Sequence, residues 1–360
     1  MPSTPGVPHQ ALDPPQVALS SLPPWLWALV ALMASALLNA AIGPVAIPPG
    51  IVVRILLSRL PHAWIEPSWP ATFTTILYQI RLPHTALMAL CGMALGGSGA
   101  AYQGLFRNPL ADPYIIGVAS GAGFGAVAAM AAGWPETALG LAAIPLAAFV
   151  GALITVLFVY NLARVGRAIS VTTLILAGVA AGSFLSALTS LILLITTHEL
   201  RRAILWLLGG FQVGGWEPSL VMLPYLTIGL ALLALLGRPI NVLQYGDEQA
   251  TQLGLNVERI KTAVIVAASL VAATAVSFSG IIAFVGLVVP HLVRLMWGPD
   301  YRRLIPLATL GGGTVLLMAD IVARVALAPR DLPVGIVTSL IGAPFFLWLL
   351  HRARERKFDG

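Results

Sequence analysis

An all-helical membrane bundle with ten spans is the fold this sequence predicts, on three observations. Charged residues make up 9% of the chain and hydrophobic ones 58%, whereas a soluble domain carries about 25% charge. Apolar stretches long enough to cross recur along the chain; a hydrocarbon core of about 30 Å takes about 20 residues of helix. Lipid offers backbone groups no water, so each stretch must satisfy its own hydrogen bonds as a helix. Finally, with both termini inside, thirteen basic residues fall on the inner side and six on the outer, the bias expected of a cytoplasmic face.

Residues 1–24 are proline-rich and polar and contain no lysine or arginine, so they read as a disordered cytoplasmic tail rather than a signal peptide. The first span covers 25–43, with Trp25 and Trp27 as interfacial anchors. Prolines at 44, 48, 49, 61, 67 and 70 bar a span from 44–80 and leave 48–60 as a short surface-lying helix. Two glycine-rich spans, 85–106 and 114–134, flank a polar island from Arg107 to Pro113, which must therefore turn at a membrane face. Spans follow at 137–163 and 168–197. The connection 198–217 is longer than a hairpin needs, and its apolar stretch from Ala203 to Phe211 is too short to cross. It predicts a re-entrant or surface-lying helix on the outer side.

After a span at 218–237, residues 262–293 carry no charge for 32 positions. Arg259 and Lys261 flank one end and Arg294, Arg302 and Arg303 the other, so both ends belong inside. The stretch must be two spans, breaking at Ser277-Phe278-Ser279-Gly280. Spans at 304–327 and 332–350 complete a single domain over 25–351, with 352–360 as a cytoplasmic tail.

Several chemistries are excluded. The single cysteine, Cys91, lies in an apolar span, so there is neither a disulfide framework nor a cysteine metal site. The only lysines, Lys261 and Lys357, do not follow a glycine, so no phosphate loop exists. His198-Glu199 lacks the second histidine of a zinc-protease helix, and Gly121-x-Gly123 sits within a span rather than after a strand. No nucleophile and base face each other as an intramembrane enzyme would need, and nothing points to nucleic acid. Glycines four apart, such as Gly92 and Gly96 or Gly178 and Gly182, predict close helix packing in the bundle or across a dimer.

Asp320 and Arg324, at i and i+4, read as a structural ion pair, and His291 as a helix cap or kink partner beside Pro290. An ion-coupled carrier usually keeps more buried charge, so transport energy should come from another subunit. Its attachment point is the polar segment Asp247, Glu248, Gln249, Ala250, Thr251, Gln252, Leu253, Gly254. Asp247 caps a short helix, Gly254 ends it, and Ala250 with Leu253 forms an apolar ridge.

Several motifs now carry a family resemblance: Arg81-Leu82-Pro83, Gln103 through Pro113, Leu176 to Val179, Gly280 through His291, Ala319 to Arg324, and Leu332 to Gly335 with Gly342-Ala343-Pro344. Over about 47–350 the chain resembles the FecCD permeases, membrane subunits of ATP-binding cassette (ABC) importers for vitamin B12, ferric siderophores and haem. The resemblance implies a type II importer permease fold with ten helices per subunit, in the bacterial inner membrane, paired as a homodimer or with a homologous half. It implies two ATPases gripping the 247–257 segment, with ATP and Mg bound there and no cofactor on this chain. Asn108, Leu110, Ser170, Val171 and Thr172 would form a cytoplasmic gate. Arg54, Arg59 and Arg330 would meet a substrate-binding protein outside. The rival reading is a secondary carrier without ATPases, in which Asp320 would be essential.

The topology is testable with single cysteines in a Cys91→Ala background. In sealed right-side-out vesicles Glu199→Cys should label at once with an impermeant maleimide, and Arg164→Cys only after permeabilisation.

Overall fold

The computed structural model describes residues 23–60, 66–134, 137–138, 141–166, 168–196, 198–210 and 214–358. Most of the predicted N-terminal tail thus lies outside the described residues. Seven helices are long and apolar enough to cross a membrane, and three shorter apolar ones, 118–131, 285–297 and 334–349, join them among the described residues. Apart from two antiparallel ladders of two residues each, at 137–142 and 164–169, the fold is helical.

Helix α1 (Pro24–Ala41) is followed by the short α2 (Pro49–Leu57), which lies within the predicted surface helix and buries Val52 and Ile55. Beyond it the sequence reading needs correction: Pro70 does not belong to a span-free segment but sits at an N-cap, and one 35-residue helix runs from Ala71 to Leu105. It comprises α3 (Ala71–Ile76), a π-helical turn at Leu77–Arg81, and α4 (Leu82–Leu105). Pro83 has no N–H to donate and its ring crowds the preceding turn, and the widened π turn just ahead of it lets the helix continue. Arg81 is not a surface charge either; it is 5% exposed and donates to the carbonyls of Ala40 and Val45.

Helix α4 is the centre of the bundle, and glycine makes that possible. A Cβ at Gly92 would strike the carbonyl oxygen of Gly312, one at Gly96 that of Ala308, and one at Gly99 that of Gly286. Removing three side chains lets α4 lie directly on α13 (Val285–Trp297) and α14 (Tyr301–Val325). The same device joins α5 (Val118–Ala131) to α6 (Ala143–Ala163), where Gly121 and Gly125 meet the backbone of Gly151 and Ala147.

Two helices, α5 and α13, fall short of a full span because the chain enters the bundle before it coils. Pro113–Ile116 form a 3-10 turn ahead of α5, with Pro113 against Gly286. Residues 280–284 stay irregular between α12 (Val257–Ser279) and α13, which places the break where the charge pattern put it. Tyr114 joins the two irregular stretches, its hydroxyl donating to the Ile282 carbonyl at 3.0 Å. Buried non-helical backbone thereby keeps partners.

Other boundaries shift modestly. Residues 137–138 pair antiparallel with 141–142, so α6 starts at Ala143 rather than 137; α7 runs Val171–Ile195, with Ser170 as its N-cap. The short outer helix is α8 (Leu200–Leu207), three residues earlier than predicted; Phe211 lies outside the described residues. It packs inward, with Trp206 fully buried against Gly280, whose φ of +73° only glycine adopts easily. Helix α9 covers Glu217–Leu235, α10 Gly237–Leu243, α11 Asp247–Gln252, and α15 Val334–Phe358, which carries helix through most of the segment predicted as a C-terminal tail.

Gly99→Ala should lower stability by about 1–3 kcal/mol through overpacking. Gly50→Ala, in α2 with open space at its Cβ position, should be neutral or stabilise by about 0.4–1 kcal/mol. Thermal unfolding in detergent micelles distinguishes the two.

Candidate functional site

One face of the bundle gathers three segments: the turn after α4, the paired residues 164–165 and 168–169 before α7, and α10–α11. Arg107 opens the turn at φ +50°, and Asn108 Oδ1 then accepts from the Leu110 N–H at 2.9 Å, a side-chain-closed turn. Asn108 is exposed and Leu110 half-buried. On the second segment, Ser170 Oγ accepts from the Thr173 N–H at 3.3 Å, which starts α7. Val171 packs on the core and Thr172 is exposed.

Helix α11 departs from the sequence reading in two respects. Asp247 is the first helical residue rather than the cap, a position held by Gly246 at φ +107°. Its carboxylate turns away from the helix to Arg107 Nη2 at 3.2 Å and Lys261 Nζ at 2.6 Å. Nor do Ala250 and Leu253 form a ridge. Ala250 is fully buried against Leu243 and Val257, while Leu253 is 70% exposed. Gly254, at φ +84°, stops the helix and lets the Leu255 N–H close back on the Ala250 carbonyl at 3.0 Å, which fixes the inward turn of Ala250. The accessible edge is therefore Glu248, Gln249, Thr251, Gln252 and Leu253.

A clamp between α10 and α14 steadies this edge. Asn241 donates to Asp300 Oδ1 at 2.6 Å and accepts from the Tyr301 N–H at 2.9 Å. The Asn241 bond, aided by the Arg302 N–H and the charges of Arg302 and Arg303, holds the Asp300 carboxyl below the usual carboxylate range despite partial burial. A depressed value stabilises the fold at neutral pH, and that contribution fades as pH drops below about 3.9 toward the lowered folded-state value.

On the opposite face Arg54 and Arg59 are exposed and each rests on an aromatic ring, Arg54 5.6 Å from the Trp69 centroid and Arg59 5.4 Å from Tyr78. Arg330 is exposed in the α14–α15 connection. Nothing in the sequence spacing marked Trp69 and Tyr78 as platforms that hold these guanidinium groups outward.

Between the faces, Asp320 is 5% exposed and lies 2.8 Å from Arg324 Nη2. The pair is part of a larger network that sequence reasoning missed. His84 Nε2 stands 2.9 Å from Asp320 Oδ1; Asn39 donates to Asp320 Oδ2 at 2.8 Å and accepts from Thr85 Oγ1 at 2.8 Å. Arg324 also donates to the carbonyls of Asn39 and Ile42. Asn39 lies in the last turn of α1, while His84 lies well inside the helix from Ala71 to Leu105, so sequence position gave no sign that they meet. His291 is neither cap nor kink partner: both its ring nitrogens are buried without a hydrogen-bond partner among the described residues.

No cluster of three or more metal-ligating side chains occurs among the described residues. A glycine-seamed bundle of apolar helices, with a short polar helix projecting on one face and arginines on the other, defines a membrane permease. Comparison narrows the class, because the FecCD transport family matches residues 31–352 and the chain belongs to it. It is 43% identical over 331 residues to the cobalamin import system permease protein BtuC of Halobacterium salinarum, covering 88% of each chain. It is 42% identical over 315 residues to the vitamin B12 import system permease protein BtuC of Escherichia coli, covering 85% of this chain and 93% of the relative. An inward-facing metal-chelate type ABC transporter superposes with a TM-score of 0.78 at 30% identity, over 91% of this chain and 98% of that one. The protein is a multi-pass permease of the ABC importer class.

Replacing Asp320 with alanine strands a buried arginine and should cost about 3–5 kcal/mol. Asp300→Ala removes the half-buried cap of α14 and should cost about 1 kcal/mol. Denaturation in micelles at pH 7 measures both.

Proposed function

We propose that two copies of this chain form an importer that passes a corrinoid from an external binding protein to the cytoplasm, driven by two partner ATPases. The single observation that carries the reading is the exposed edge of α11, anchored by Ala250 and tied through Asp247 to the turn holding Asn108 and Leu110. Such an edge fits a docking groove, and Leu253 is its apolar contact. ATP and Mg would bind to the partner, and this chain would carry no cofactor and do no covalent chemistry.

The second copy is supported by α7. Only 11% of its apolar window is buried, and Thr172, Ser183 and Ser186 are exposed along it. Hydroxyls facing lipid would be poorly satisfied, so a partner helix or a watered pathway suits them better. Asn108, Leu110, Ser170, Val171 and Thr172 would close the inner end of that pathway. Arg54, Arg59 and Arg330 would meet carboxylates of the binding protein. The arginine bias supports a cytoplasmic position for both termini and α11.

The corrinoid reading rests on the permeases at 42–43% identity. The metal-chelate transporter at 30% identity favours an iron chelate as the second reading. Asp320 is already engaged by His84, Asn39 and Arg324, which suits a fixed brace better than the proton relay of a gradient-driven carrier.

The purified chain should hydrolyse no ATP alone and gain activity with its nucleotide-binding subunits. Leu253→Asp should weaken that complex roughly tenfold, about 1.4 kcal/mol. Proteoliposomes with binding protein and ATP should accumulate cyanocobalamin. Accumulation of a ferric siderophore or haemin in its place selects the second reading, and uptake driven by an ion gradient without ATPases overturns both.

A further inference from the structure

We propose that Lys261 is the positioning residue that carries movement of α11 to the segment before α7, while Arg107 carries it separately to the 107–113 turn. The proposal rests on the reading of α11 as the ATPase contact. Its basis is a four-charge cluster on the inner face. The two oxygens of Asp247 divide between two cations, Oδ1 to Arg107 and Oδ2 to Lys261. The Asp247 side chain is 42% exposed and that of Lys261 only 5%, so the lysine links a solvent-facing carboxylate to the packed interior.

The interior end of the link is specific. Lys261 Nζ also lies 3.5 Å from Glu258 Oε1 and donates to the Ile169 carbonyl at 3.3 Å. Glu258 Oε2 accepts from the Ile169 N–H at 2.8 Å. Both backbone groups of Ile169 are therefore held by side chains one turn apart on α12. Ile169 immediately precedes Ser170, whose hydroxyl starts α7. A shift in Asp247 pulls Lys261, and Lys261 with Glu258 holds the residue from which α7 begins. The other branch is shorter: Arg107 is the first residue of the turn containing Asn108 and Leu110.

The residue type fits this role. An ammonium has three donors on a flexible stem, and three acceptors surround it here: Asp247, Glu258 and the Ile169 carbonyl. A guanidinium presents its donors in a rigid plane suited to one carboxylate. The chain has 20 basic residues and only two lysines, one of which stands at this junction. Two positive and two negative groups balance the cluster, so breaking one contact leaves the remaining buried charge uncompensated.

The two branches can be separated without knowing the cargo. Thr172→Cys and Leu110→Cys, each in a Cys91→Ala background, report the two segments by maleimide labelling of the nanodisc complex with its ATPase subunits, with and without ATP and Mg. In the otherwise unmodified complex both labelling rates should change with nucleotide by about fivefold or more, the scale of ordinary site coupling. Lys261→Gln should abolish the Thr172→Cys response and spare that of Leu110→Cys; Arg107→Gln should do the reverse. Glu258→Ala, which frees the Ile169 N–H and removes one partner of Lys261 while leaving both contacts of Asp247 in place, should reproduce the Lys261→Gln pattern, and ATP hydrolysis should persist in all three. Undiminished Thr172→Cys responses in Lys261→Gln and Glu258→Ala overturn the relay, as does equal loss at both reporters in either variant. An unmodified chain that binds no ATPase overturns the proposed function instead.

Discussion

The structure depends on one constraint: inside a bilayer every backbone amide and carbonyl must find its partner within the protein. Long helices meet it alone, but this fold does not consist only of long helices. Its centre holds two irregular stretches, 112–117 and 280–284, and they are admitted because Tyr114 bonds Ile282 and because Asp112 accepts from the Tyr114 N–H at 2.8 Å. Arg81 plays the same part at the C-terminal end of α1, donating to the carbonyl of Ala40 in its last turn and to that of Val45 in the segment that follows. Close approach of α4 to its neighbours follows, since irregular backbone can be served only by groups within reach.

Glycine and charge divide the remaining work. The seam of Gly92, Gly96 and Gly99 brings α4 against α13 and α14 by dispersion alone. Charged groups then fix what packing leaves free. The Asp320 network crosslinks α1, α4 and α14, while the Asp247 cluster crosslinks α11, α12 and the turn after α4. One is largely buried, with both oxygens of Asp320 paired. The other is partly wet and shared between segments that must be able to move.

Much of the fold was legible because hydropathy and arginine placement report directly on membrane crossing. The split of 262–293 followed from charge at Arg259 and Arg294, and the helices break at Gly280 as that charge required. The outer extension of α4 was not legible, since six prolines in 44–80 argued against helix while only the last of them, Pro70, marked its true start. The turn chemistry at Asn108 and the N-cap at Ser170 could be read from residue type. The inward turn of Ala250 could not, because a six-residue helix has no periodicity to declare which side it buries. His84 and Lys261 were missed for a related reason: their partners are 236 and 14 residues away along the chain, and only the crossing of helices brings them together.

The two charge clusters also differ in what the surrounding electrolyte can do to them. Small ions at the inner surface have access to Asp247 and Arg107, whose side chains are 42% and 39% exposed, and none to Asp320 at 6%. Screening weakens exposed pairs within a Debye length of about 8 Å in physiological salt and leaves buried ones almost untouched. The molecule therefore has a joint that softens with the ionic strength of its own compartment, opposite a hinge-post that the same salt cannot loosen.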